Sequence, residues 1–403
     1  MRSLPSDGRS VAHRFGSSPP FTVGAEEELF LVAPETHAIA RVTDDVLAGL
    51  PRFLRGQVLG ELCDGVIELV TPIGADAAEV GRHLVALRGA VTATGRAALM
   101  GAGVHPTAPY GDVVHRRGRH YASVAADTRS LLRQTASCGL HVHIGMPDPE
   151  AAVAAFNGMR KWVPVLQAIS ANSPYWYGRD SGLASSRTVI CHSVPRTGLP
   201  GPFRDWAHYE QTVDDLVRAG ELDGAGSIWW DVRLHPGHGT LEVRLADAQS
   251  SVADVEGLVA LIHGVVQHEA LVADSEHPDR DLLDEASFRA IRDGLDARIS
   301  LGGPMRHVQD LAAQALAVAR PYAARAGCGD AIDHLERMLA EGNGAARQRA
   351  AFARGGMPEV LRRLSAETAV VPGAEGHVAV AVAGRPGVAP RRGHPASPCT
   401  AIG

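Results

Sequence analysis

The 403-residue sequence lacks a Gly-x-x-x-x-Gly-Lys-[Ser/Thr] loop, and no Gly-x-Gly-x-x-Gly segment follows a strand-like run. Two common backbone cradles for nucleotide phosphates are thereby excluded. A basic excess is also missing: 45 Asp and Glu outnumber 39 Lys and Arg, for a formal net charge of −6. Nucleic acids and anionic membrane surfaces attract basic faces, so neither is an expected partner. The first twenty residues, with Arg2, Arg9 and Arg14, have no apolar core of the kind a signal peptide needs. The apolar stretch 252–272 is interrupted by Asp254, Glu256, His263, His268 and Glu269, which makes it too polar to span a bilayer. Cys63, Cys138, Cys191, Cys328 and Cys399 are scattered, odd in number and free of any Cys-x-x-Cys pair. They read as reduced thiols of a cytoplasmic protein rather than as a disulfide framework.

What is present is a long run of patterned chain. Strands are expected over 22–32, 57–71, 136–146, 226–234 and 239–246, each rich in Val, Ile, Leu or Thr and bounded by Gly or Pro. Helices are expected over 76–99, 149–171, 205–219, 252–273, 304–326, 330–341 and 344–366, with Asp148-Pro149 as a cap followed by a first-turn proline. Strands cluster early and helices late, and single helices do not alternate with single strands. That segregation favours an α+β fold with an antiparallel sheet. One domain over 21–368 is expected, with a disordered lead-in over 1–20 and a disordered Gly-, Ala- and Pro-rich tail over 369–403.

Four segments carry candidate chemistry. In Val23–Val32, strand alternation puts Glu26 and Glu28 on one face and Glu27 on the other. Adjacent carboxylates repel, and a hard divalent cation would offset the repulsion; the alternative is an edge strand whose charges stay in water. Glu68 lies between Ile67 and Leu69 and needs a partner if buried. Glu61 has the opposite parity, and a bulge at Gly65 would bring both to one face. His141 and His143 alternate on one strand beside Gly139 and Gly145, open to metal or phosphate chemistry or, alternatively, simply packed in the core. Glu242 and Arg244 share a face of the last strand, as an ion pair or as parts of a phosphoryl site. The loop after the 149–171 helix adds Arg179, Arg187 and Arg196 among glycines and serines, suited to carboxylate or phosphate or simply solvated.

These segments occur in a recurring order: G-A-E-E-E-L at 24–29, E-L-V-T-P at 68–72, C-G-L-H-V-H-I-G at 138–145, A-N-S-P at 171–174, G-R-D-S-G at 178–182, W-W-D-V-R at 229–233, G-T-L-E-V-R at 239–244 and G-A-A-R-Q-R at 344–349. The series closely resembles the carboxylate-amine ligases, the type 2 glutamate–cysteine ligases, from about Phe21 to Thr368. The resemblance implies a glutamine-synthetase-like α+β fold, a curved antiparallel sheet with helices packed on one side, whose concave face holds Mg²⁺ and ATP. It implies an ATP-dependent ligase in which a carboxylate, typically the γ-carboxyl of glutamate, is phosphorylated and the acyl phosphate is then attacked by cysteine or another amine. By motif, Glu26, Glu28, Glu61, Glu68, His141 and Glu242 are the expected metal-site residues. Arg244 would stabilise phosphoryl charge, with Glu242 beside it, and Arg179, Arg187 and His143 would join Arg244 in holding ATP. The expected partners are small-molecule carboxylates and amines; a homodimer stays open.

The match has departures. The family's N-R-W-R-A-A-R-F-G-L-D stretch reads here as Ala286 to Asp296 without its Asn and Trp, although Arg289 and Arg292 remain, and Tyr177 stands where glutamine is common. These changes bear on the choice of substrate. Two alternatives remain open at this point: a metal-dependent hydrolase built on His141 and His143, and a non-catalytic homologue that binds a nucleotide or metabolite.

Overall fold

The computed structural model describes residues 13–116, 128–272 and 277–370. Its centre is a seven-stranded sheet built from β1 (Val23–Val32), β2 (Val58–Gly60), β3 (Val66–Val70), β4 (Ala98–Met100), β5 (Gly139–Gly145), β8 (Val232–His235) and β9 (Thr240–Asp247). Two short strands, β6 (Tyr175–Trp176) and β7 (Arg179–Asp180), pair separately. The large sheet runs β2-β3-β1-β5-β9-β8, with β4 added to the far end of β1, and every pairing is antiparallel.

Alternation divides the sheet into two chemically different faces. Leu29, Leu31, Ile67, Leu69, Val142, Ile144, Leu241 and Val243 point into the main core, which the helices Ala77–Ala93, Pro149–Met159, Val163–Ser170, Val252–Leu271 and Val308–Arg325 close. The opposite face is apolar only at one end, where Phe30, Val32, Val66 and Met100 meet Val360 and Leu364, which follow the kink at Gly355–Gly356 in the helical segment Gly344–Thr368. The rest of that face is acidic, basic and imidazole. Glu27 is the exception on the core face: both it and Arg88 are wholly buried and ion-paired, and Arg88 also donates to the carbonyls of Gln249, Ser250 and Thr368.

Several sequence expectations need correction. The run 57–71 is a hairpin of two strands, because Gly65 takes a left-handed φ of 97° in the connection between them. The bulge lies instead between β5 and β9, where the register shifts between Leu140 and Val142. The helix expected over 76–99 stops at Ala93, and Ala98–Met100 forms β4. The helix expected over 149–171 is split by a 3-10 turn at Arg160–Trp162. Asp148 caps the first half as expected, accepting from the Ala151 N–H at 2.8 Å. Helices at Thr43–Gly49, Ser186–His192 and Arg280–Asp293 were not anticipated. Part of the lead-in is packed: Phe15 is buried edge-on against Trp206, and the Gly16 N–H donates to the Met146 carbonyl. Residues 1–12 and 371–403, the rest of the expected lead-in and nearly all of the expected tail, lie outside the described residues. Cys63, Cys138 and Cys328 are buried free thiols, whereas Cys191 is disulfide-bonded, so reduction of all five does not hold.

Candidate active site

The acidic face is assembled by strand register. Glu26 lies opposite His141, Glu28 opposite Glu68, His143 opposite Glu242, and Glu242 opposite Arg233. Directly opposed residues on one face of an antiparallel pair have adjacent side chains, so four pairings gather one continuous cluster across β3, β1, β5, β9 and β8. Glu61 reaches its edge from the β2–β3 connection, where its carboxylate accepts from the Leu62 N–H at 3.0 Å. No bulge at Gly65 is needed, because a turn residue is free of strand parity.

Distances within the cluster are short. His141 Nδ1 lies 3.3 Å from Glu26 and its Nε2 lies 3.8 Å from Glu28. His143 Nε2 lies 3.4 Å from Glu26 and 3.6 Å from Glu242. Glu242 is ion-paired with both Arg233 and Arg244. The Gly139 N–H donates to Glu28 at 2.6 Å. A Cβ at Gly139 would sit 2.1 Å from the Arg187 guanidinium, so a side chain there would displace that guanidinium.

The electrostatics are unbalanced. Burial, then the charges of Glu26, Glu61 and Glu28, push the Glu68 carboxyl well above the usual carboxylate range. Burial also works against the charge on Glu242 and Glu26, yet Arg233 and Arg244 hold Glu242 well down, and His143 and His141 do the same for Glu26. His141 is lowered by burial and by Arg244, while Glu242 and Glu26 overcome burial to raise His143. Among the described residues, five clustered carboxylates lie with the guanidiniums of Arg233 and Arg244, and His141 Nε2 is buried without a hydrogen-bond partner. Glu26, His141 and Glu242 offer ligand atoms within 4.8 Å of one another, and so do Glu28, Glu68 and His141. An acid-rich, oxygen-dominated donor set fits a hard divalent cation such as Mg²⁺. Beside Glu26 and His143 opens a cleft of about 470 Å³, walled by Val23, Val70 and Ile73 and bearing Arg14 and His238.

The remaining expected residues lie elsewhere. Arg187 is buried beneath β9, where it donates to the carbonyls of Leu245 and Arg244 at 3.3 and 3.4 Å, so it braces the strand that carries Glu242. Arg179 is exposed on β7, and among the described residues no hydrogen bond or ion pair joins it to the cluster. Arg289 and Arg292 are also outside the site, paired with Glu285 and Asp293 on the surface of the helix Arg280–Asp293. That helix supports the site region through its backbone: the Ile291 carbonyl accepts from the N–H groups of Ala184 and Ser185. Sequence reasoning missed Arg233, although the β8–β9 hairpin that sets it opposite Glu242 follows from the short Pro-Gly connection. It also missed the buried Asp247, which accepts from the Asn172 N–H and from the hydroxyls of Ser173 and Ser185 at 2.7–2.9 Å. The A-N-S-P segment is therefore a structural anchor for β9.

Comparison with known proteins follows the same lines. A family model described as glutamate-cysteine ligase family 2 matches residues 22–367. A protein from Rubrobacter xylanophilus named putative glutamate–cysteine ligase 2-3 is 38% identical over 364 residues, covering 88% of this chain and 99% of its own. A Halobacterium salinarum protein named glutamate–cysteine ligase is 38% identical over 290 residues, covering 68% of this chain and 80% of its own. Among solved structures, the glutamate–cysteine ligase of Francisella tularensis in complex with AMP is similar in fold, with a TM-score of 0.65 at 13% identity over 90% of this chain and 93% of that one. Fold, ordered motifs and the reach of the match agree: the chain belongs to glutamate-cysteine ligase family 2.

Proposed function

We propose that this protein is an ATP-dependent ligase that joins the γ-carboxyl of glutamate to an amine through an acyl phosphate, with Mg²⁺ held on the acidic face of the sheet. The observation that carries the reading is the pair of overlapping ligand sets meeting at His141. Glu26, His141 and Glu242 would hold one cation, and Glu28 and Glu68, with Glu61 at the edge, would hold charge at the other end. When bound, Mg²⁺ screens the phosphate oxygens and polarises the γ-phosphoryl group.

The cleft beside Glu26 suits ATP, because its apolar walls accept a flat base while Arg14, His143 and His238 line the path to the carboxylates. A glutamate carboxylate oxygen attacks the γ-phosphorus and ADP leaves. The amine nitrogen then attacks the acyl carbon, the C–O bond to phosphate breaks, phosphate departs with the electron pair, and the amine proton passes to phosphate or water. Arg244, fixed by Glu242, stands where it can stabilise the transferring phosphoryl charge. Arg233 holds Glu242 from the other side, itself anchored by donating to the Ile228 carbonyl at 3.0 Å. No helix among the described residues is long and apolar enough to cross a membrane. We place the reaction in the cytoplasm, where ATP and Mg²⁺ are supplied.

The test is ADP release from Mg-ATP with panels of carboxylates and amines. ADP should form at full rate only when glutamate and an amine are both present, and chelation should abolish it. Turnover without nucleotide would instead support a hydrolase. A second readout needs no activity: Mg²⁺ at about 100 times its dissociation constant should stabilise the folded protein by about 2–3 kcal/mol. In Glu26→Gln the same titration should give a much smaller gain, and an unchanged gain would remove Glu26 from the cation site.

A further inference from the structure

The ligase reading leaves open what holds the nucleotide phosphates that lie beyond the carboxylate cluster. Mg-ATP stays negatively charged, and the chain has no glycine-rich phosphate loop whose backbone N–H groups could cradle it. Side-chain cations must then take part. Among the described residues that line the cleft of about 470 Å³ beside Glu26, Arg14 is the one Lys or Arg. The wall otherwise offers hydroxyls, small and apolar side chains, two imidazoles and Glu26 itself.

Arg14 stands ahead of the part of the chain that matches the family, which begins at residue 22. Motif comparison therefore assigns it no role, yet its backbone is firmly held. The Arg14 N–H donates to the Pro236 carbonyl at 2.9 Å, in the turn between β8 and β9. The Gly16 N–H donates to the Met146 carbonyl at 2.9 Å and the Phe21 N–H to the Gly145 carbonyl at 2.7 Å, both at the end of β5. Between these ties Phe15 is buried, its ring 5.4 Å from that of Trp206. The approach to the hairpin is close: Gly239 has a left-handed φ of 73°, and a Cβ there would lie 2.3 Å from the Arg14 carbonyl oxygen. Residues 14–21 thus form a strap fastened to the ends of β5 and β9, the strands that carry His143 and Glu242. The Arg14 side chain is uncommitted. It is exposed, and among the described residues no hydrogen bond or ion pair engages its guanidinium. A held backbone beneath a free cation is preorganised for an anion.

We propose that the 14–21 strap is a nucleotide clamp in which Arg14 binds the α- and β-phosphates of ATP at the rim of the cleft. The inference rests on the ligase reading above. The γ-phosphoryl group must reach Arg244 and the carboxylate cluster, so a cation at the rim meets the phosphates behind it. A guanidinium can engage two phosphate oxygens at once, which an ammonium does less well. The α- and β-phosphates stay with ADP, so Arg14 holds ground state and transition state alike. Such uniform binding acts on nucleotide affinity and not on the rate of transfer.

Calorimetry of the full-length protein with Mg-ADP reads this without an amine. Arg14→Gln should weaken Mg-ADP binding about tenfold, the scale of one charged hydrogen-bonding group. Binding of Mg²⁺ alone and the melting temperature without nucleotide should not change. In ADP-release assays with glutamate and an amine, the KM for ATP should rise about tenfold, with kcat and the KM for glutamate within about twofold. Arg14→Lys, which keeps the charge but not the planar fork, should recover part of the loss. Unchanged Mg-ADP affinity in Arg14→Gln, a loss confined to kcat, or a rise in the KM for glutamate instead of ATP would overturn the assignment while leaving the ligase intact. A wild type that neither binds Mg-ADP nor releases ADP with any pair would overturn the ligase reading and this inference with it.

Discussion

Glu242→Gln should cut amine-dependent ADP release by about 10²–10³-fold while leaving a folded protein. Three cationic or imidazole side chains converge on Glu242: Arg233 and Arg244 pair with it, and His143 lies 3.6 Å away. Glutamine keeps the size and one acceptor oxygen but removes the charge that holds both guanidiniums. It also removes a ligand atom from the set shared with Glu26 and His141. Losing a preorganised group aimed at developing charge costs on this scale in other enzymes. The loss should fall on kcat more than on the KM for the amine. Calorimetric Mg²⁺ binding should weaken in parallel, separating a cation role from a purely structural one. Full turnover in this variant would take Glu242 out of the site.

Arg88→Met should destabilise the fold by about 3–5 kcal/mol, the scale on which removing one partner of a buried ion pair acts. Arg88 and Glu27 are both inaccessible to solvent, and the same guanidinium satisfies three backbone carbonyls from two other segments. Methionine fills similar space but leaves the Glu27 carboxylate buried and unpaired. Adding Glu27→Gln should recover part of the loss, because the two positions act as one unit. Urea unfolding measures each step, and a loss below about 1 kcal/mol for the single variant would contradict a stabilising pair. The consequence for function is indirect. Glu27 lies between Glu26 and Glu28 on β1, so the pair helps fix the strand that presents both.

Strand alternation made much of the acidic face legible. Glu26, Glu28, His141, His143 and Glu242 fall on one side because their parity is fixed by period two, and the structure brings them together with Glu68. Glu61 was less legible, since parity says nothing about a turn residue until the hairpin is known. Alternation also put Glu27 on the opposite face, but its partner was not legible, because Arg88 stands on a helix 61 residues away. Arg179 and Arg187 looked alike in sequence but one is exposed and the other sits beneath β9. Only tertiary packing separates them. The altered 286–296 segment affects the surface and a backbone prop for Ala184 and Ser185, not the carboxylate cluster. That placement reduces the weight of the non-catalytic alternative.

The acyl phosphate is tested most directly by oxygen transfer. Glutamate labelled with ¹⁸O in its γ-carboxyl, supplied with Mg-ATP and a competent amine, should give inorganic phosphate carrying one ¹⁸O per amide formed. The bridging oxygen of the acyl phosphate originates in the carboxylate and leaves with phosphate. Amide formation with unlabelled phosphate would contradict the mechanism.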